Sequence, residues 1–215
     1  MAKGVFITLE GPDGSGKSSQ MRPLVDFLKQ RGYPVHATRE PGGTRISDQV
    51  RQVLLNRMEN REMHPRTETL LFCASRAQLV EEVIRPRLER GEVVISDRYA
   101  DSTLAYQGYG HQRDIHALVE LLNYTTGGLW PDLTLLLDVD PQTGLSRRRH
   151  AGGEWNRLDA YALAFHERVR QGYFEMLQQQ PERWRRIDAS RSMDAVQEDM
   201  RAVVLERLQL LVNRE

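Results

Sequence analysis

The stretch Val5-Phe6-Ile7-Thr8-Leu9-Glu10-Gly11-Pro12-Asp13-Gly14-Ser15-Gly16-Lys17-Ser18 decides the architecture. Val5 to Leu9 favours a β-strand, the chain then turns through glycines, and Met21, Leu24, Val25 and Leu28 recur at helical spacing until Arg31-Gly32. In that strand, loop and helix context, Gly11 to Ser18 satisfies the G-x-x-x-x-G-K-S phosphate-loop pattern. The pattern works because successive backbone N–H groups and the positive end of a helix converge on an anion. Lys17 reaches the transferable phosphates and Ser18 offers a hydroxyl to Mg²⁺. The expected triphosphate cradle is Gly11, Pro12, Asp13, Gly14, Ser15, Gly16, Lys17, Ser18 and Ser19.

Further strands are expected at Pro34–Thr38, Glu92–Ser96, Asp132–Leu137 and Trp184–Ile187. Helices are expected over 44–57, 66–90, 102–106, 115–124, 141–149, 161–179 and 193–212. Asp132-Leu133-Thr134-Leu135-Leu136-Leu137 is almost uniformly apolar, as in a strand buried on both faces of a parallel sheet. Alternating strands and helices predict an α/β fold with a parallel sheet covered on both faces. Ligands of such sheets sit beyond the carboxyl ends of the strands, so the loops after the strands carry the information.

The 215 residues include 40% hydrophobic ones and balance 30 Lys+Arg against 30 Asp+Glu. They suffice for one domain, 1–215, without a disulfide or structural metal. The single cysteine, Cys73, excludes an intramolecular disulfide and multi-cysteine zinc patterns. Zero formal charge argues against DNA or RNA as partner. Apolar runs such as Leu135-Leu136-Leu137 fall far short of the ~20 residues that span a bilayer, so a cytoplasmic protein without membrane attachment is expected. The basic residues are 27 Arg and 3 Lys, so lysine chemistry has only Lys3, Lys17 and Lys29 to draw on.

A phosphate loop alone leaves a small-molecule kinase, a GTPase switch and an ATPase module in competition. A switch needs D-x-x-G after a later strand, but the sole match, Asp13 to Gly16, lies inside the phosphate loop. Asn156-Arg157-Leu158-Asp159 imitates a guanine-reading motif but has Arg for its Lys. Strand three ends in Asp97-Arg98-Tyr99, where Asp97 can hold Mg²⁺ or its water and Arg98 can clamp phosphate charge. Strand two ends in Arg39-Glu40-Pro41-Gly42-Gly43, a turn that keeps Arg39 at the same sheet edge. At both ends a structural ion pair is the alternative. Phe72 and Arg76 share a helix face at i, i+4, suited to stacking a base and bonding its edge, although a lone Phe is by itself more often packing. Arg147-Arg148-Arg149 beside Gly152-Gly153 is either a solvated helix end or a lid that brings guanidinium groups to the phosphates.

Taken together, Leu9–Ser18, Thr38-Arg39-Glu40-Pro41-Gly42-Gly43-Thr44, Asp97-Arg98-Tyr99 and Ser102-Thr103-Leu104-Ala105-Tyr106-Gln107-Gly108 resemble the thymidylate kinase family in order and spacing. The resemblance implies a P-loop NTPase fold with a five-stranded parallel sheet flanked by helices, a lid at about 147–159, and a homodimer. It implies dTMP phosphorylation to dTDP with ATP and Mg²⁺, in dTTP synthesis. By matching position, Asp13 contacts the dTMP sugar, Arg39 and Arg98 its phosphate, Phe72 the thymine face and Arg76 the base edge. Ser102, Thr103, Tyr106 and Gln107 line the thymidine pocket, Arg147 lies against adenine, and Ser18 and Asp97 serve the metal. Members lacking an Arg in the phosphate loop supply it from the lid. Here the loop position is Gly14, so Lys17, Arg39, Arg98 and a lid residue, Arg149, form the expected catalytic set, with Arg148 and Arg157 as neighbouring choices.

Overall fold

The computed structural model describes residues 4–55, 62–150 and 161–212. Its sheet contains β1 (Val5–Glu10), β2 (Val35–Arg39), β3 (Val93–Asp97), β4 (Leu133–Asp138) and β5 (Trp184–Asp188). All four pairings are parallel, in the order β2-β3-β1-β4-β5. From central β1 the chain goes to one side for β2 and β3, then crosses to the other for β4 and β5. Connections therefore leave β1's two neighbours in opposite directions and open a crevice at their carboxyl ends, where the phosphate loop lies.

The connecting helices are α1 (Lys17–Gln30), α2 (Arg45–Leu55), α3 (Pro65–Leu79), α4 (Arg85–Glu89) and α5 (Ala100–Thr103). They are followed by α6 (Ile115–Thr126), α7 (Pro141–His150), α8 (Leu163–Gln179) and α9 (Met193–Val212). Side chains alternate across a strand, so β1 feeds two cores. Ile7 and Leu9 pack with Ile95, Leu135 and Leu137 against Leu24 and Leu28 of α1 and Met200 and Val204 of α9. Phe6 packs with Val94, Leu136 and Trp184 against Leu79, Leu122 and Tyr173. Each wholly buried Leu or Ile contributes about 2 kcal/mol, which is why two such layers suffice without cross-links. Glu10 shares the face of Phe6 and so points under α5 and α8, where it meets Ser102 and Tyr173.

Boundaries follow local chemistry. His64 caps α3 by accepting from the Arg66 N–H at 3.2 Å, and Asp114 caps α6 by accepting from His116 and Ala117. Two expected helices differ in kind. The run expected over 66–90 becomes α3, a π-helical segment at Val80–Ile84 and then α4. The helix expected over 102–106 starts at Ala100 as α5 and continues as a π-helical segment, Leu104–Gly110. Its wide turns pack where a Cβ on Gly108 would lie 2.4 Å from Ile115 and one on Gly110 2.6 Å from Phe165. Periodicity carries no signal for such widening, which depends on what packs against the segment.

Candidate active site

Lys17 starts α1 and is almost fully buried, its Nζ donating to the Gly11 carbonyl at 3.0 Å, the Pro12 carbonyl at 2.9 Å and Ser15 Oγ at 3.2 Å. Burial, followed by the positive charge of Arg98, pulls its pKa down to about 8. The loop can be this tight only with glycine at 14, which has φ +75° and would place a Cβ 1.9 Å from the Gly144 carbonyl. The phosphate loop is thereby packed onto α7. Ser18 donates to Asp97 Oδ2 at 2.6 Å, so the two groups expected at the metal lie side by side. This pair of hard oxygen donors fits Mg²⁺, which takes one or two carboxylates together with phosphate oxygens and water rather than a full protein cage. Among the described residues no group of three or more His, Cys, Asp or Glu is arranged to hold a metal.

Arg98, at the turn after β3, adopts the left-handed conformation (φ 69°). Its guanidinium donates to Asp13 at 2.7 Å, Ser102 Oγ at 3.0 Å, Tyr106 Oη at 3.0 Å and Tyr173 Oη at 3.3 Å. Burial would raise the Asp13 carboxyl, but the adjacent charges of Arg98 and Lys17 and the Tyr106 hydroxyl outweigh it and hold the pKa below the usual range. Beneath this cluster, Glu10 accepts from the Tyr99 N–H at 2.8 Å, Ser102 Oγ at 2.6 Å and Tyr173 Oη at 2.9 Å. Burial, reinforced by Asp101, pushes its carboxyl up to about 7. Ser102 thus braces Arg98 on one side and meets Glu10 on the other.

Arg76 is wholly buried, paired with Glu40 at 2.7 Å, and donates to Thr103 Oγ1 at 3.1 Å and the Tyr99 carbonyl at 3.0 Å. Phe72 is half-buried one turn earlier on the same face of α3. Arg39 is exposed and 3.4 Å from Asp48. On the opposite side Arg147 donates to the carbonyls of Ala189 at 2.7 Å and Ser190 at 3.2 Å, tying α7 to the loop after β5.

One cavity of about 680 Å³ joins these groups. It is of the size that takes small ligands. Its walls include Asp13 to Ser19, Arg39, Phe72, Arg76, Asp97, Arg98, Ser102, Thr103, Tyr106, Gln107 and Arg147. Gly11 and Pro12 stand behind the wall, with their carbonyls turned to Lys17. Of the lid arginines, Arg148 lines the cavity, whereas Arg149 is exposed on α7 and lies outside the lining. Arg157 and Trp155 fall outside the described residues, as does most of the expected lid. Sequence reasoning missed Tyr173 as a partner of Arg98 and Glu40 as the partner of Arg76. Glu40 was signalled by its place next to Arg39, but Tyr173 comes from a helix 75 residues away and had no local signal.

Parallel order with β1 at the centre, a phosphate loop on the first helix, a serine–carboxylate pair and an arginine-lined second half of the cavity define a P-loop kinase of the nucleoside monophosphate type. A family model described as thymidylate kinase matches residues 9–200. The chain is 52% identical over 212 residues to the thymidylate kinase of Roseiflexus castenholzii, covering 93% of this chain and 92% of that protein. It is 48% identical over 207 residues to the thymidylate kinase of Deinococcus radiodurans, covering 96% and 99%. The crystal structure of thymidylate kinase from Ehrlichia chaffeensis superposes with a TM-score of 0.76 at 31% identity, covering 94% of this chain and 99% of that one. The chain belongs to the thymidylate kinase family.

Proposed function

We propose that this enzyme transfers the γ-phosphoryl group of ATP to dTMP, giving ADP and dTDP, and that it works as a cytoplasmic homodimer. The observation that carries the reading is the continuity of one cavity from Lys17 and Ser18 through Arg98 to Phe72 and Arg76. A triphosphate on the loop and a nucleotide on the Phe72 side then meet at the Arg98–Asp97 corner.

The acceptor oxygen of dTMP is already anionic at neutral pH, so transfer calls for alignment, charge neutralisation and water exclusion and needs no general base. Lys17, Arg39 and Arg98 spread positive charge along the transfer path; a lid arginine is assigned the same task, Arg149 by matching position, although Arg148 is the one that lines the cavity. Arg98 reaches it from a rigid seat, since four side chains hold its guanidinium. Asp13 accepts from the sugar while remaining ionised. Phe72 stacks the base, Arg76 bonds its edge, and Ser102, Thr103, Tyr106 and Gln107 close the thymidine side. Arg147 packs against adenine, beside the loop it anchors. Ser18 and Asp97 would hold Mg²⁺, which would supply charge neutralisation for the phosphates. No helix among the described residues is long and apolar enough to cross a membrane, and Leu70 and Tyr124 project from α3 and α6 as exposed apolar groups suited to a subunit contact.

The test is ADP release with Mg-ATP and dTMP, dUMP, dCMP, dGMP or dAMP, beside a no-acceptor control. Release with dTMP well above the others is expected. Equal turnover of dTMP, dCMP and dGMP, or release without an acceptor, would overturn the assignment.

A further inference from the structure

Glu68 has no part in the chemistry above, yet it is a carboxylate with 0% exposure, placed on α3 one turn before Phe72. Its Oε1 accepts from Gln107 Nε2 at 2.6 Å, and His111 Nε2 stands 3.7 Å from the same oxygen. Gln107 is itself 2% exposed and lines the cavity wall with Phe72, Arg76 and Thr103.

A glutamine amide offers a donor at one end and an acceptor at the other, and rotating it by half a turn exchanges them. Beside Glu68 the exchange is disfavoured: it would replace a 2.6 Å hydrogen bond by the Gln107 oxygen facing Glu68 Oε1 in a buried site, where an unmade bond is most costly. One Nε2 hydrogen is thereby committed to Glu68, which fixes the sense of the amide and keeps Oε1, its acceptor end, away from Glu68. Pyrimidines differ at this point. Thymine and uracil carry a hydrogen on N3, whereas cytosine presents a lone pair there.

We infer that Glu68 is a positioning residue for base specificity: by locking the Gln107 amide it presents a fixed acceptor to the N3–H of thymine and turns the same acceptor against cytosine. The inference rests on the proposed placement of dTMP against Phe72 and deepens it. It also limits what Glu68 does, because dUMP shares the N3–H with dTMP and must be unaffected by this device.

The experiment measures kcat and KM for dTMP, dUMP and dCMP with the full-length enzyme and the variants Glu68→Gln and Glu68→Asp. A glutamine at 68 can donate or accept, and an aspartate withdraws the carboxylate, so either change frees the Gln107 amide to turn. The expected result is a rise of ~10-fold or more in dCMP over dTMP specificity, the scale of one relieved polar mismatch, with the dUMP to dTMP ratio unchanged. Equal losses for all three nucleotides, or an unchanged dCMP to dTMP ratio in a variant that melts like the wild type, would overturn the inference. The aspartate variant keeps a carboxylate in the core and decides the matter if the glutamine variant does not fold. A wild-type enzyme without preference for dTMP over dCMP would instead overturn the proposed function itself.

Discussion

Replacing Lys17 by Met should stabilise the ligand-free enzyme while removing its activity. Lys17 is 6% exposed, and its ammonium bonds two carbonyls and a hydroxyl with Arg98 as a like charge nearby. Burial is the larger cause, Arg98 the next, and together they lower the pKa from 10.5 to about 8. That lowering corresponds to about 3 kcal/mol against the charged side chain at neutral pH. Loss of the Nζ hydrogen bonds offsets about 1–2 kcal/mol of it, leaving a net gain of about 1–2 kcal/mol and a Tm higher by about 2–8 °C for a chain of this size. The sign with pH follows from proton counting. Between pH 8 and 10.5 the unfolded chain holds the proton that the folded lysine has lost, so stability rises with pH across that window, and below pH 8 the full penalty stands. Urea unfolding of both proteins at pH 7 and pH 9.5 should therefore show the variant ahead at pH 7 and the gap narrowing at pH 9.5. ADP release should fall by ~10²–10³ or more, as when one charge stabiliser is lost. A variant less stable at pH 7, or a gap independent of pH, would refute the reasoning.

Arg76→Met should lower the unfolding free energy by about 3–5 kcal/mol, because Glu40 is left as an unpaired charge in the core; adding Glu40→Gln should recover much of the loss in urea titrations. Gly14→Ala places a methyl 1.9 Å from the Gly144 carbonyl at a φ of +75°, so a loss of about 3 kcal/mol or more and weakened ATP binding by calorimetry are expected. Phe72→Ala should raise KM for dTMP to the extent of ~1–3 kcal/mol of base stacking while KM for ATP stays level; a rise for ATP instead would reverse the assignment of the two ends of the cavity. Arg149→Ala should lower kcat by ~10², and unchanged turnover there combined with a loss in Arg148→Ala would move the role to the arginine that lines the cavity.

Much of the fold was legible because it depends on short-range pattern. The Gly11–Ser18 motif with its flanking strand and helix places the phosphate site, and the uninterrupted apolar run of β4 marks a strand with both faces covered, as observed. The expected strands overlap β1 to β5, their edges shifting by no more than one residue, since hydrogen-bonded ends are set by the neighbouring strand. Ser18 and Asp97 were each readable as candidate metal groups, from the phosphate-loop motif and from the end of strand three; that they touch was not, because only the sheet order sets β3 beside β1.

The local pattern could not disclose which groups the sheet brings together from afar. Glu10 directly follows the expected first strand, and the alternation of β1 turns it under Ser102 and Tyr173, where burial carries its carboxyl up to about 7. Phe72 taken alone reads as packing and is set at the base only by the family resemblance; the structure leaves it half-buried on the cavity wall. The partnerships of Arg98 with Tyr173 and of Gln107 with Glu68 span 75 and 39 residues. By itself, then, the sequence determined the order of strands and helices, the phosphate loop and the set of chemical groups available. Tertiary structure alone decided which of them touch, which way the Gln107 amide faces and which charges lose their water. Periodicity encodes a residue's own face of its element, whereas desolvation and pairing are set by whatever packs against that face.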